Sequence, residues 1–159
     1  LVINLDSNPS EISDQSFFFD LNCDGKEEEI AQLGSGSGYL ALDKNGDGII
    51  NDGSELFGAK TGDGFRELAA CDTDNNGWID EADDIYSSLK VWKKDENGND
   101  VLLSLKEADV GAIYLGKTAT DFTVYSDDIS DRRPVAKVRS SGIYLHEDGR
   151  SGVVQQMDF

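Results

Sequence analysis

The chain has 159 residues, with 32 Asp and Glu against 14 Lys and Arg, for a net charge of −18. That length suffices for one ordinary core, and hydrophobic residues at 38% are too many for a disordered acidic tail. The charge excludes nucleic acid and anionic membranes as partners and favours cations. No apolar run is long enough to span a bilayer, so no membrane insertion is expected.

The opening "LVINLDSNPS" carries no basic, apolar leader, and the start without Met points to an excised or processed piece. Short strands are expected at 1–5, 16–21, 28–33 and 39–43, separated by the turn clusters "DSNPS", "NCDG" and "GSGSG". Residues 64–71 place Phe65, Leu68 and Ala69 on one helical face, and 81–89 do the same with Ala82, Ile85, Tyr86 and Leu89. A strand at 90–94 leads through "DENGND" to a short helix near 104–109 and a strand at 112–115. The last third reads as strands at 121–126, 136–141, 142–147 and 152–159, with "EDGRSG" as the final hairpin turn. The expected fold class is α+β, a single module over 1–159. Paired EF-hand-like calcium loops with short helices occupy about 39–92, antiparallel β-structure flanks them at both ends, and the β-rich C-terminal part covers about 112–159.

Four segments share the skeleton Asp-x-Asn/Asp-x-Asp/Asn, beginning at Asp20, Asp43, Asp72 and Asp95. Oxygen-bearing side chains at positions 1, 3 and 5 converge as such a loop curls, and glycine at 6 permits the sharp turn. A cation of Ca²⁺ size takes six to eight oxygens, including a carbonyl at position 7 and an acidic group near 12. An ion in their midst would offset the mutual repulsion of these carboxylates.

The third loop gives Asp72, Asp74, Asn76, the carbonyl of Trp78, Asp80 at position 9 and Asp83 at position 12, between two expected helices. The second gives Asp43, Asn45, Asp47, the carbonyl of Ile49 and Asn51, with Glu55 one place beyond position 12 as the closing carboxylate. The first gives Asp20, Asn22, Asp24 and the carbonyl of Lys26; only the run Glu27-Glu28-Glu29 follows, so a weaker ion on a β-hairpin is the reading there. The fourth has Asp100 in place of glycine and Lys106 at position 12, and reads as a polar turn. Two Ca²⁺ sites are expected, with a third candidate at 20–29. Ile50 and Ile79, each at position 8, are expected to face one another in a small antiparallel bridge with Leu56, Phe57, Phe65 and Leu68 packed below.

The strings "FFFDLNCDGKEEE", "GYLALDKNGDGIINDGSELFG", "GDGFRELAACDTDNNGWIDEADDIYSSLKVW" and "LKEADVGAIYL" together resemble an EF-hand-like calcium-binding module of secreted bacterial, RTX-associated proteins. The resemblance covers about residues 1 to 115 and loosely takes in the tail. It implies a secreted or cell-surface location within a larger protein, with other domains of that protein as partners. Related self-processing modules cleave an Asp-Pro bond at their own N-terminal edge. In this chain Pro9 follows Asn8 and Pro134 follows Arg133, and Asp6, Ser7, Asn8 and Pro9 stand where that family often has a Gly-rich acidic loop.

Other chemistry finds little footing. His146 is the sole histidine and reads as a surface hairpin residue, with no spacing that makes a triad. Trp78 and Trp92 read as core packing rather than a carbohydrate face, and "GSGSGY" lacks the lysine of a phosphate loop. Cys23 and Cys71 leave a disulfide and two free thiols both open. A non-enzymatic calcium-binding structural module is the expectation. The alternatives are a self-processing module whose scissile bond lies upstream of Leu1, and an adhesion or ligand-binding module.

Overall fold

The computed structural model describes residues 1–6, 8 and 10–159; Ser7 and Pro9, within the "LDSNPS" stretch, lie outside the described residues. Among the described residues there are eleven strands: β1 (Val2–Asn4), β2 (Ile12–Phe19), β3 (Glu28–Leu33), β4 (Ser37–Leu42), β5 (Trp78–Ile79), β6 (Leu89–Lys94), β7 (Asp100–Ser104), β8 (Ala112–Tyr114), β9 (Thr118–Tyr125), β10 (Pro134–Leu145) and β11 (Ser151–Asp158). One α-helix, α1 (Gly64–Ala69), and one 3₁₀ turn at Gly53–Glu55 complete the regular structure.

Nine strands form one antiparallel sheet in the order β5-β8-β10-β11-β1-β4-β6-β7, with β9 also paired to β10. The long strand β10 serves two neighbours on one edge: its residues Pro134–Ser141 pair with β9, and Tyr144 and Leu145 pair with β8. Strands β2 and β3 make a separate hairpin.

Alternation along the strands sorts the apolar side chains onto two faces. Ile3, Leu40, Val91, Tyr144 and Val154 point into one core with Phe57, Phe65, Leu68, Ile79 and Ile113. Their neighbours Val2, Tyr39, Ala41, Trp92 and Met157 point into a second core, closed by Phe19, Ile30 and Leu33 of the β2–β3 hairpin. A sheet covered on both faces needs near-continuous apolar runs, and β4, "SGYLAL", buries five of its six residues.

The α+β expectation is therefore overturned: the chain is nearly all β, and α1 is its lone α-helix among the described residues. Residues 81–88 form successive turns instead of a helix. Asp83, Asp84, Ser87 and Ser88 are weak helix formers whose polar groups compete for nearby backbone, and the Tyr86 hydroxyl is tied to Val110 O at 2.8 Å. At 104–109 Ser104 and Glu107 make a reciprocal capping box, each accepting the other's N–H at 3.1 Å. Asp109, at φ 57°, then stops the chain after one turn. Helix α1 buries Phe65 and Leu68 but leaves Ala69 exposed, and Asp63 caps it by accepting Arg66 N–H.

The expected strands 136–141 and 142–147 are one strand, β10, bent by a register shift between Val138 and Ser140. The Ile50–Ile79 bridge is absent as well. Ile79 pairs with Ile113, and Ile50 and Ile79 belong to different cores, so Leu56 is separated from Phe57, Phe65 and Leu68 in the same way.

Candidate metal centre

Loops 20–28, 43–55 and 72–83 fold into the same hydrogen-bonded cage although their flanking elements differ. Position 1 accepts the N–H of the glycine at position 6: Asp20 from Gly25 at 2.9 Å, Asp43 from Gly48 at 2.7 Å and Asp72 from Gly77 at 3.0 Å. Position 3 accepts from the position-5 N–H, as Asn22 from Asp24, Asn45 from Asp47 and Asp74 from Asn76. Position 5 accepts from position 7, as Asp24 from Lys26, Asp47 from Ile49 and Asn76 from Trp78. The curl that stacks these Asx turns needs left-handed backbone at positions 4 and 6. Cys23 (φ 62°), Gly46 (φ 73°) and Asn75 (φ 57°) supply the first, and Gly25, Gly48 and Gly77 the second.

Each cage is closed by a carboxylate that accepts the position-2 N–H. Glu28 takes Leu21 N–H at 3.0 Å, Glu55 takes Lys44 N–H at 2.9 Å and Asp83 takes Thr73 N–H at 2.7 Å. Glu55 and Asp83 also take the position-9 N–H, from Asn51 at 2.8 Å and Asp80 at 3.1 Å, and both are buried. Glu28 stands only nine places into its loop. The acidic run 27–29 was its sole signal in the sequence, and a search for a twelfth-position ligand passes over it.

The three cages differ in how far their acids converge. Carboxylate oxygens of Asp72, Asp74 and Asp83 lie within 4.8 Å of one another, as do those of Asp20, Asp24 and Glu28. The corresponding acids of 43–55 form no such group among the described residues. There the amides of Asn45 and Asn51 both donate to Asp47 Oδ2 at 3.2 Å, and Asn45 also donates to Asn51 Oδ1 at 2.9 Å. In the third loop Asp80 Oδ2 accepts from the Asn76 amide at 3.4 Å, so all six residues named from the sequence border one cage.

Electrostatics mark the third loop further. Desolvation pushes the Asp74 carboxyl up, and the neighbouring Asp72 and Asp83 add to it. Burial also raises Asp83, but the N–H groups of Asp80 and Thr73 outweigh it and hold that carboxyl below its ordinary value. Asp72 Oδ1 is buried with no hydrogen-bond partner among the described residues. An orphaned carboxylate oxygen beside a second and third carboxylate is costly unless a cation or water satisfies it. The donor set is all oxygen, with neither His nor Cys at the cage, which suits a hard cation.

The fourth acidic segment is a hairpin turn between β6 and β7. Asp95 Oδ1 accepts the N–H groups of Asn97 and Asn99, while Asp100 leaves the loop to pair with Lys94 at 2.7 Å and the Trp92 indole N–H at 2.9 Å.

Two further expectations change, and the open question of the cysteines is decided. His146 is 5% exposed rather than on the surface: Nδ1 lies 3.1 Å from Asp109 Oδ2, and Nε2 lies 3.4 Å from the Tyr144 hydroxyl. Trp92 is core, but Trp78 is only partly buried and stacks on the exposed Tyr114 with ring centroids 4.9 Å apart. Cys23 and Cys71 are both free thiols, each pushed up first by burial.

A family model described as the SPM domain matches residues 1–159, the whole chain. The chain is also similar to the iron-regulated protein FrpA of Neisseria meningitidis serogroup C, at 32% identity over 83 residues. That match takes in 47% of this chain and 7% of the length of FrpA.

Proposed function

We propose that this chain, which belongs to the SPM domain family, is a calcium-binding structural module whose acidic loops lock the β-fold around bound Ca²⁺. The reading is carried by the buried Asp72 Oδ1, which has no hydrogen-bond partner among the described residues, within the Asp72-Asp74-Asp83 cluster. Asp72, Asp74, Asn76, Asp80, Asp83 and the Trp78 carbonyl would hold one ion. Asp20, Asn22, Asp24, Glu28 and the Lys26 carbonyl would hold another. Asp43, Asn45, Asp47, Asn51, Glu55 and the Ile49 carbonyl would hold a third once an ion displaces the amide hydrogen bonds that Asn45 and Asn51 make to Asp47. The ion supplies positive charge where the fold has concentrated negative charge; the chain supplies preformed cages whose backbone is already curled.

Calcium loops of extracellular modules bind at about 10⁻⁴–10⁻³ M, so a secreted or surface location within a larger protein fits the reading. The module would then be stable only after export. A self-processing role draws on none of the chain's own bonds, because neither Pro9 nor Pro134 follows an aspartate.

Thermal melts with millimolar Ca²⁺ and with EDTA test the proposal. Binding to the folded state alone adds RT ln(1 + [L]/Kd), about 2.7 kcal/mol at a hundredfold excess over Kd, so the melts should separate by several degrees. Mg²⁺, which demands a tight octahedron and sheds water reluctantly, should restore little of that gain. Superimposable melts in Ca²⁺ and EDTA would overturn the reading, and equal rescue by both ions would reduce it to charge screening.

A further inference from the structure

We propose that one peptide group, Asp20–Leu21, couples the first two acidic loops, so that loops 20–28 and 43–55 bind Ca²⁺ cooperatively and loop 72–83 binds independently of both. The inference rests on the calcium reading above and adds the order in which the sites communicate.

The Leu21 N–H and the Asp20 carbonyl belong to the same planar amide. The N–H is shared between Glu28 Oε2 and Phe19 O, both at 3.0 Å, and Glu28 is the carboxylate that closes the first cage. The carbonyl accepts Gly53 N–H at 2.9 Å. Gly53 begins the 3₁₀ turn that ends at Glu55, the carboxylate that closes the second cage. The two closing carboxylates are thus joined through one rigid plane and a three-residue turn.

The contact is too close to be incidental. A Cβ on Gly53 would sit 1.8 Å from Leu21 O, a backbone atom that cannot swing aside. Beside it the Cys23 thiol lies 3.5 Å from Asp52 Oδ1, which in turn caps the same 3₁₀ turn by accepting Ser54 N–H at 2.8 Å. Glu55 at the end of that turn is held by Lys44 and Asn51 N–H groups, so its position depends on the turn's.

A cation in the first cage draws Glu28 toward itself and weakens its hold on Leu21 N–H. The peptide plane then reorients as a unit, and its carbonyl moves against Gly53 and the turn that presents Glu55. Linkage requires the converse: an ion drawing on Glu55 resets the same plane and alters the first cage. The third loop stands outside this path. Among the described residues no hydrogen bond joins 43–55 to 72–83, Ile79 is committed to Ile113, and the Gly77 carbonyl is taken by Leu115 N–H at 3.0 Å. The pairing that the sequence points to, second loop with third, is replaced by first with second.

The position-6 glycines give each loop its own reporter, since each amide donates to the position-1 aspartate of its cage. Calcium titration of the ¹⁵N-labelled chain, following the amides of Gly25, Gly48 and Gly77, tests the proposal in the wild type and in Asp24→Asn. In the wild type Gly25 and Gly48 should move with a common midpoint. In Asp24→Asn the Gly48 midpoint should rise about fivefold or more, while that of Gly77 shifts less than about twofold. Asp47→Asn should raise the Gly25 midpoint in the same way, and Asp74→Asn should leave both unmoved. A Gly48 midpoint unchanged in Asp24→Asn, a Gly25 amide that ignores calcium, or a Gly77 midpoint that shifts as far as Gly48 each overturns the coupling while leaving calcium binding intact. If no glycine amide moves, the calcium reading itself falls and the coupling with it.

Discussion

Loops 72–83 and 95–100 begin with the same acidic skeleton and end as different objects. In the first, Asp72 reaches forward to the glycine at position 6 and Asp83 reaches back to Thr73 and Asp80, so the segment encloses a cage. In the second, position 6 is Asp100, which lies on β7 and pairs with Lys94 across the hairpin, and Asp95 merely holds a turn. Counting acids does not separate them. A second left-handed residue and a closing carboxylate do.

The comparison can be broken most severely at Asp83. This side chain is 3% exposed and accepts from Thr73 N–H, the Thr73 hydroxyl and Asp80 N–H. Asp83→Ala orphans those donors and should cost about 3 kcal/mol in EDTA, before any metal effect; denaturant unfolding reads this directly. A loss below about 0.5 kcal/mol would mean that the cage is not a structural unit. The matching change in the hairpin has nothing comparable to remove.

A carboxylate outside the loops shows how much of such a loss is ordinary capping. Asp63 accepts Arg66 N–H at the start of α1 and pairs with Lys117. Asp63→Ala should cost about 1 kcal/mol, the usual price of a lost N-cap, and should be indifferent to calcium. The bond to Lys117 is the main cause holding the Asp63 carboxyl below its ordinary value. A depressed carboxyl stabilises fully above its unfolded value and loses that contribution as pH falls through the folded one. Wild type and Asp63→Ala should therefore differ at pH 6 and converge below about pH 4. Curves that run parallel down to pH 2 would contradict this.

The smallest effect belongs to the hairpin. Asp95 is held below its ordinary value first by Asn99 N–H, but it is solvent-facing, so Asp95→Ala should leave the unfolding midpoint close to that of the wild type and calcium stoichiometry unchanged by titration calorimetry. Losing an ion there while Asp72→Ala keeps its full complement would invert the distinction between cage and turn.

The cages were legible because their rules are local. Oxygen at 1, 3 and 5 with glycine at 6 fixes the curl within six residues, whatever lies outside. Loop 20–28 was less legible because Cys23, unlike Gly46 or Asn75, gives no sign that it adopts left-handed backbone. The helix expected before the third loop is present as α1, but the one expected after it was misread for the opposite reason. The segment 81–89 has apolar residues at helical spacing, but Ile85 and Tyr86 answer to a sheet whose partners come from residues far along the chain. His146 misled in the same way: a polar residue in a predicted hairpin gave no hint that Asp109 would arrive to bury it. The Gly53–Leu21 contact, which joins two cages, leaves no trace in either loop read alone.

The position of β1 carries a consequence for how the chain folds. Val2, Ile3 and Asn4 lie between Tyr39-Gly38-Ser37 of β4 and Gln155-Val154-Val153 of β11, so the sheet has no complete centre until its first and last strands meet. Both cores depend on that meeting, one through Ile3 and Val154 and the other through Val2 and Met157. Such non-local pairing is slow, on the order of milliseconds to seconds. The cages close over short stretches, and a ten-residue loop closes in about 10–100 ns. Closing the acidic loops is thus fast relative to completing the sheet, which waits on both ends of the chain. A cation taken up during that interval would act on the folding route itself, shortening the search by fixing three turns before the ends of the chain find one another.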